Sequence, residues 1–176
     1  RQITEELLDV ANLVVSPEGE HIAFTMDVFP DCNTVECSKK RLDEKEKAKA
    51  SGRIYERIFI RHWDTWKDGR RSHLFVMPST GGEAVDLTNG MDADTPSKPF
   101  GGPEEITFTP DGKSLIFAAR DVGKAEPWST DFDLYWVPID GSKQPKCLTE
   151  ENDAWDTNPV FSPDGKILAY LAMRRA

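Results

Sequence analysis

The stretch Tyr55-Glu-Arg-Ile-Phe-Ile-Arg-His-Trp-Asp-Thr-Trp66 carries the densest chemistry in the sequence. His62, Trp63, Asp64 and Trp66 fall within five residues. Aromatic faces hold apolar side chains and attract cations, while charged side chains fix charged termini. Such a segment suits a pocket wall that recognises the end of a peptide. Glu56, Arg61, His62, Trp63, Asp64 and Trp66 are the candidate contacts. A structural role competes with this one. In it Phe59, Trp63 and Trp66 anchor the segment, and Arg57, Arg61 and Asp64 form ion pairs.

Other chemistry is sparse. The chain contains no Gly-x-Ser-x-Gly elbow, His-Glu-x-x-His pair, Walker loop or glycine-rich dinucleotide loop. Of the three histidines, His21 and His73 open strand-like runs and read as structural. The carboxylates are scattered, so no acid/base couple can be assigned. No metal-ligand spacing is present, and no cofactor is expected. A net charge of −9 argues against nucleic acid as a partner. No apolar run is long enough to span a membrane, so none is expected as a partner either. Cys32 and Cys37 are separated by four residues in a loop. They can close a disulfide, which implies an oxidising compartment, or remain two surface thiols. Cys147 lies in a strand pattern and reads as a small buried hydrophobe.

The elements that position these residues repeat. Ser16-Pro-Glu-Gly19, Thr109-Pro-Asp-Gly112 and Ser162-Pro-Asp-Gly165 each precede a strand-like run. Proline presets φ, Asp favours the next position and Gly tolerates positive φ, so each motif predicts a hairpin turn. A second half follows. It reads His73-Leu-Phe-Val-Met-Pro78, Gly81-Gly82, Ala84-Val-Asp-Leu-Thr88 in one copy. In the next it reads Asp133-Leu-Tyr-Trp-Val-Pro138, Gly141, Lys146-Cys-Leu-Thr149. Each unit therefore has four strands, and repeated four-stranded sheets predict an all-β chain, a partial β-propeller of about two and a half blades. Residues 1–28 and 72–90 form the first blade, 101–150 the second and 156–176 the start of a third.

The first and second turn prolines lie 93 residues apart (17 to 110), the second and third 53 apart (110 to 163). The excess is an insertion over residues 29–71 that contains the aromatic stretch. Within it Lys39–Arg53 holds seven basic residues against three acidic and predicts a solvated helix with an Asp43–Lys47 pair. At the N-terminus Thr4 is expected to cap a short helix, with Leu7, Leu8 and Val10 tucked against the first blade. An unfinished third blade leaves an open edge that recruits another strand. The expectation is therefore an N-terminal piece of a longer protein, with homo-oligomer formation through that edge.

The motif Asn158-Pro-x-Phe-Ser-Pro-Asp-Gly-Lys-x-Leu-Ala-Tyr170, with its Leu-Tyr-x-Val…Gly…Leu-Thr half, resembles the propeller of the prolyl oligopeptidase family. Periplasmic propellers of the TolB type share that motif. The insertion, with Val28-Phe-Pro-Asp-Cys, Tyr55-Glu-Arg, Arg61-His-Trp-Asp-Thr-Trp and Ser72-His-Leu-Phe, is similar to bacterial dipeptidyl-peptidase 5 and acylaminoacyl-peptidase-like members. This resemblance implies an exported serine exopeptidase, periplasmic or secreted, with a Ser-Asp-His triad in a C-terminal α/β-hydrolase domain. The 176 residues are expected to lack that domain, so no triad residue is assigned and they are expected to be inactive alone. The propeller would gate access and help hold the peptide substrate's N-terminus, with Glu56 and Asp64 as carboxylates for the ammonium and Trp63 and Trp66 as walls. The alternative is a binding-only propeller of the TolB type that docks protein partners.

Overall fold

The computed structural model describes residues 2–174 except Arg57 and Phe59, and of His62 only the backbone. The expected roles of Arg57 and Phe59 lie outside the described residues, as do the last two residues of the expected third blade. Strand β1 (Val10–Val15) turns through Ser16–Gly19 into β2 (His21–Val28). The insertion follows, with helix α1 (Val35–Lys47) and the short hairpin β3 (Arg61–His62) and β4 (Thr65–Trp66). Strands β5 (Arg71–Pro78) and β6 (Val85–Asp86) complete an antiparallel sheet ordered β1-β2-β5-β6. The next sheet repeats the order with β7 (Ile106–Phe108), β8 (Ser114–Ala119), β9 (Asp133–Pro138) and β10 (Lys146–Cys147). A third begins with the hairpin β11 (Asp156–Phe161) and β12 (Leu168–Ala172).

Each turn is built the same way, and its first residue explains why a hydroxyl stands there. The backbone N–H of Gly19, Gly112 and Gly165 donates to the carbonyl of Ser16, Thr109 and Ser162. The side-chain oxygen of those same residues accepts the N–H of His21, Ser114 and Ile167, each at 3.0 Å. The Leu-Thr endings are built alike. Leu87 and Leu148 donate to the carbonyls of Leu74 and Leu134, at 2.8 Å in both cases. The hydroxyls of Thr88 and Thr149 accept the N–H of Leu74 and Leu134, at 3.0 Å in both cases. A bulge recurs as well, with Asn12 at φ +52° in β1 and Asn158 at φ +53° in β11.

Alternate side chains point to opposite faces, and the central strands β2, β5 and β8 are buried on both, so the sheets stack face to face. Ala23, Leu74, Val76, Phe108, Leu115, Phe117 and Val137 form a core between the first and second sheets. Ile116, Ala118 and Leu134 face the other way, onto Phe161 and Leu168 of the third hairpin. Ile22, Phe24, Met26, Val28, Phe75 and Met77 cover the outer face of the first sheet, beneath Leu8 and Val35. Beyond β12 no further strand pairs among the described residues, and Leu171 and Ile167 are largely exposed there.

Two local expectations are corrected. Residues 2–9 hold no helix, because pairing of β1 with β2 claims the chain from Val10 onward and leaves too short a segment to nucleate one. Leu8 packs as expected, but Leu7 and Val10 are exposed. Helix α1 also begins and ends earlier than the charge run suggests. Thr34 caps it by accepting the Cys37 N–H at 3.2 Å, and the backbone turns extended at Ala48. Its ion pair is Lys39 with Asp43, not Asp43 with Lys47. Cys32 and Cys37 form a disulfide that ties the preceding loop to the first turn of α1. Cys147 remains a thiol, half-buried against the core of the first two sheets.

Candidate functional site

A cleft of about 420 Å³ opens where the insertion meets the first two sheets. Its floor depends on Arg71, the first residue of β5, whose side chain is 11% exposed. The Arg71 guanidinium meets both oxygens of Glu126 at 2.7 Å, Asp94 Oδ2 at 3.0 Å and Asp92 Oδ1 at 2.9 Å. Glu126 belongs to the connection between β8 and β9, so this fork ties the first sheet to the second. Lys67 reaches Glu126 at 2.9 Å and Asp94 at 3.4 Å. Lys98 Nζ touches Asp27 at 2.8 Å and Asp94 at 3.3 Å.

The loop that carries Lys98 is fixed from below. The buried Glu105 carboxylate accepts the Ser97 N–H at 2.6 Å, the Ser97 hydroxyl at 2.8 Å and the Thr157 hydroxyl at 2.9 Å. One carboxylate thus connects the Lys98 loop, the second sheet and the third hairpin.

The buried charges act on one another. Burial disfavours the Asp94 carboxylate, but Lys98, Lys67 and Arg71 outweigh it and hold Asp94 at about 2. Glu126 is lowered despite burial, chiefly by its bonds to Arg71. Burial likewise opposes the charged form of Lys98, but Asp94 and Asp27 raise it. For Arg120 burial wins and lowers it, though Glu126 pulls the other way. Four cations (Lys67, Arg70, Lys98, Arg120) line the cleft against four anions (Asp27, Asp68, Asp94, Glu126). With every acid beside a base in this way, the arrangement suits recognition rather than proton transfer. Among the described residues no cluster of His, Cys, Asp and Glu could hold a metal ion.

The candidate residues of the insertion separate. Trp63 and Trp66 line the cleft, together with Phe132, Pro96 and Pro99. Trp63 sits at φ +48° in the two-residue link between β3 and β4, and its ring meets Phe100 at 5.3 Å. Trp66 stacks on Tyr55 at 6.0 Å, and the Arg61 guanidinium lies 5.6 Å from the Trp66 ring. Arg61, Asp64 and Glu56 are exposed on the same segment and do not line the cleft. His62 pairs through its backbone with Thr65. The other two histidines stand apart, and buried His73 is held by Asp86 and the Met91 carbonyl at 2.9 Å each.

Sequence reasoning missed the floor. Asp27, Arg71, Asp94, Lys98 and Glu126 come from four segments and share no local pattern. The one available signal was Asp94-Thr-Pro-Ser-Lys-Pro99, a proline-rich connection with opposite charges four residues apart.

Four-stranded antiparallel sheets stacked in chain order, with a ligand-sized cleft at their junction, define the class as an all-β repeat protein. No family model matches the chain. It is 30% identical over 171 residues to dipeptidyl-peptidase 5 of Porphyromonas gingivalis, covering 94% of this chain and 24% of that one. It is 32% identical over 182 residues to dipeptidyl-peptidase 5 of Porphyromonas endodontalis, covering 99% and 25%. A fungal dipeptidyl-peptidase 5, from Arthroderma otae, is 31% identical over 145 residues, covering 73% and 20%. The chain belongs to this dipeptidyl-peptidase family, and it spans about a quarter of the length of the bacterial relatives it matches.

Proposed function

We propose that the chain is the N-terminal propeller portion of a secreted or periplasmic serine exopeptidase, one that gates access and holds the N-terminal end of a peptide substrate. Catalysis would lie in an α/β-hydrolase domain elsewhere in the same protein. The observation that carries this reading is the cleft. It combines indole and phenyl walls with carboxylates at its floor, the chemistry a peptide's ammonium end and first side chains require. Similarity to proteins named dipeptidyl-peptidase 5 supports the peptidase class. The Cys32–Cys37 disulfide fits an oxidising compartment, and no helix is long and apolar enough to cross a membrane among the described residues. In this reading the exposed edge at β12 receives the next strand of the same unit, and in the isolated chain a second copy takes its place.

Within the reading, Trp63 and Trp66 are cleft walls. The candidate contacts Glu56, Arg61, His62 and Asp64 stand on the same segment outside the cleft lining and would meet substrate beyond it, while Asp27 and Asp94 are carboxylates within reach of an ammonium in the cleft. The test uses the full-length protein and dipeptide-releasing substrates. Trp66→Ala is expected to raise KM with a smaller effect on kcat, and Asp27→Asn, at the cleft floor, to raise KM strongly. An unchanged KM with a lowered melting temperature would assign these residues to folding alone. The 176-residue chain by itself should release no dipeptide. A full-length coding sequence without a Gly-x-Ser-x-Gly elbow would favour the binding-only propeller instead.

A further inference from the structure

Lys98 is the most exposed of the cations that hold the Asp94 carboxylate. Its side chain is 45% exposed, against 24% for Lys67 and 11% for Arg71. Its Nζ bridges Asp27 and Asp94, and all three residues line the cleft. Arg71 is locked by four polar contacts and Lys67 by two carboxylates, so neither can leave without stranding buried charge. Asp94 keeps both of these partners, and the Ser72 N–H at 2.9 Å, if Lys98 withdraws. Asp27 is itself 41% exposed, so rehydrating it is cheap.

A lysine ammonium and a peptide's terminal ammonium are the same donor group, with the same charge and three N–H bonds. Exchanging one for the other leaves the net charge of the floor unchanged, and the freed lysine regains rotamer freedom. An anionic ligand would instead have to pull Lys98 away from two carboxylates. The adjoining Trp63, Trp66 and Phe132 offer apolar faces to whatever follows the amine.

We propose that Lys98 is a built-in competitor: its ammonium occupies the subsite between Asp27 and Asp94 that a ligand's primary ammonium takes when it enters the cleft. The ligand class is a primary amine followed by an apolar group. Lys98 sets a threshold there, since an amine without apolar contacts cannot displace it. This rests on reading the cleft as a ligand site.

The test titrates the chain with leucyl-valine amide, its Nα-acetylated form and Nα-acetyl-lysine amide. Binding is followed by isothermal calorimetry, and melting curves verify that each variant is folded. Lys98→Met is expected to bind leucyl-valine amide about tenfold tighter or more than the native chain. The acetylated form should show no gain, and Asp27→Asn added to Lys98→Met should abolish the gain. Tightening of acetyl-lysine amide as well would support the same subsite and widen its amines to side chains. Lys98→Gln serves as a second variant should the methionine variant melt early. Equal affinity in native and variant chains would overturn the role of Lys98 but leave the cleft a ligand site. Weaker binding in the variant would make Lys98 a recognition cation and overturn the proposal. Binding to neither chain would overturn both readings.

Discussion

Replacing Arg71 by methionine tests whether the ionic floor holds the first two sheets together. The side chain is 11% exposed, and its two bonds to Glu126 at 2.7 Å are the short bidentate kind. Removing one partner of a buried pair costs about 3–5 kcal/mol, because the other charge is left uncompensated. Here the cost falls at the lower end. Lys67 stays 2.9 Å from Glu126 and 3.4 Å from Asp94, and Arg120 lies 3.7 Å from Glu126. The bond to Asp92 adds little, since that carboxylate is 40% exposed. The expected loss is about 3 kcal/mol, read as a lower urea midpoint by tryptophan fluorescence at pH 7. Arg71→Lys keeps the charge but not the fork and should lose about half as much. Lys166→Met, at an 80% exposed side chain 3.7 Å from Asp164, should change stability by less than about 0.5 kcal/mol. If Arg71→Met came within about 0.5 kcal/mol of native, the floor would hold no net stability and the reasoning would fail.

Acid should weaken the same floor. Asp94 is held at about 2 against an ordinary 3.8, so its contribution is complete above pH 4 and lost as pH falls toward 2. The shift corresponds to about 2 kcal/mol, visible as a falling urea midpoint that Asp94→Asn should flatten. Reducing the Cys32–Cys37 disulfide frees a short loop, and loop-closure entropy puts the loss at about 2 kcal/mol, measurable by melting with and without reductant. Gly19→Ala meets nothing within 4 Å and should cost only the strain of φ +73°, about 1 kcal/mol. Gly165→Ala adds a Cβ 2.9 Å from Pro110 and should cost about twice as much; equal losses would mean the second and third turns do not support each other.

What the sequence made legible was local. Proline and Gly at fixed offsets around an acidic residue specify a hairpin regardless of surroundings, so all three turns could be read directly. The hydroxyl of Ser16, Thr109 and Ser162 was visible as a repeat, but its use as an acceptor for the residue five positions on emerges only with the backbone folded. Charge density misplaced the helix, because Lys39–Arg53 reports a solvated surface while Thr34 and the disulfide fix where the helix starts. Thr4 resembled a cap, yet pairing with β2 decided the fate of the N-terminus. Trp63 and Trp66 stood out through local aromatic density. Asp27, Asp94 and Glu126 did not, since a carboxylate's role depends on which cations the fold brings beside it.

The position of the ionic floor is itself informative. Stability does not require charges there, because a buried ion network is often matched or exceeded by apolar residues of similar volume. The junction between the first two sheets already holds Leu74, Leu115, Phe117 and Val137, each fully buried or nearly so. An apolar floor would have continued that core and closed the cleft to charged groups. A floor of balanced charge keeps fixed, oriented partners at the bottom of an aromatic-walled space, while the chain's net charge of −9 favours the approach of cations at long range. Selection between signs then depends on which floor ion can be displaced. Arg71 and Asp94 are buried and multiply held, while Lys98 and Asp27 are 45% and 41% exposed. When Lys98 withdraws, buried Asp94 remains in place, so the vacated position suits an incoming cation, and this makes Lys98 rather than either tryptophan the residue whose replacement most sharply separates a ligand site from a structural seam.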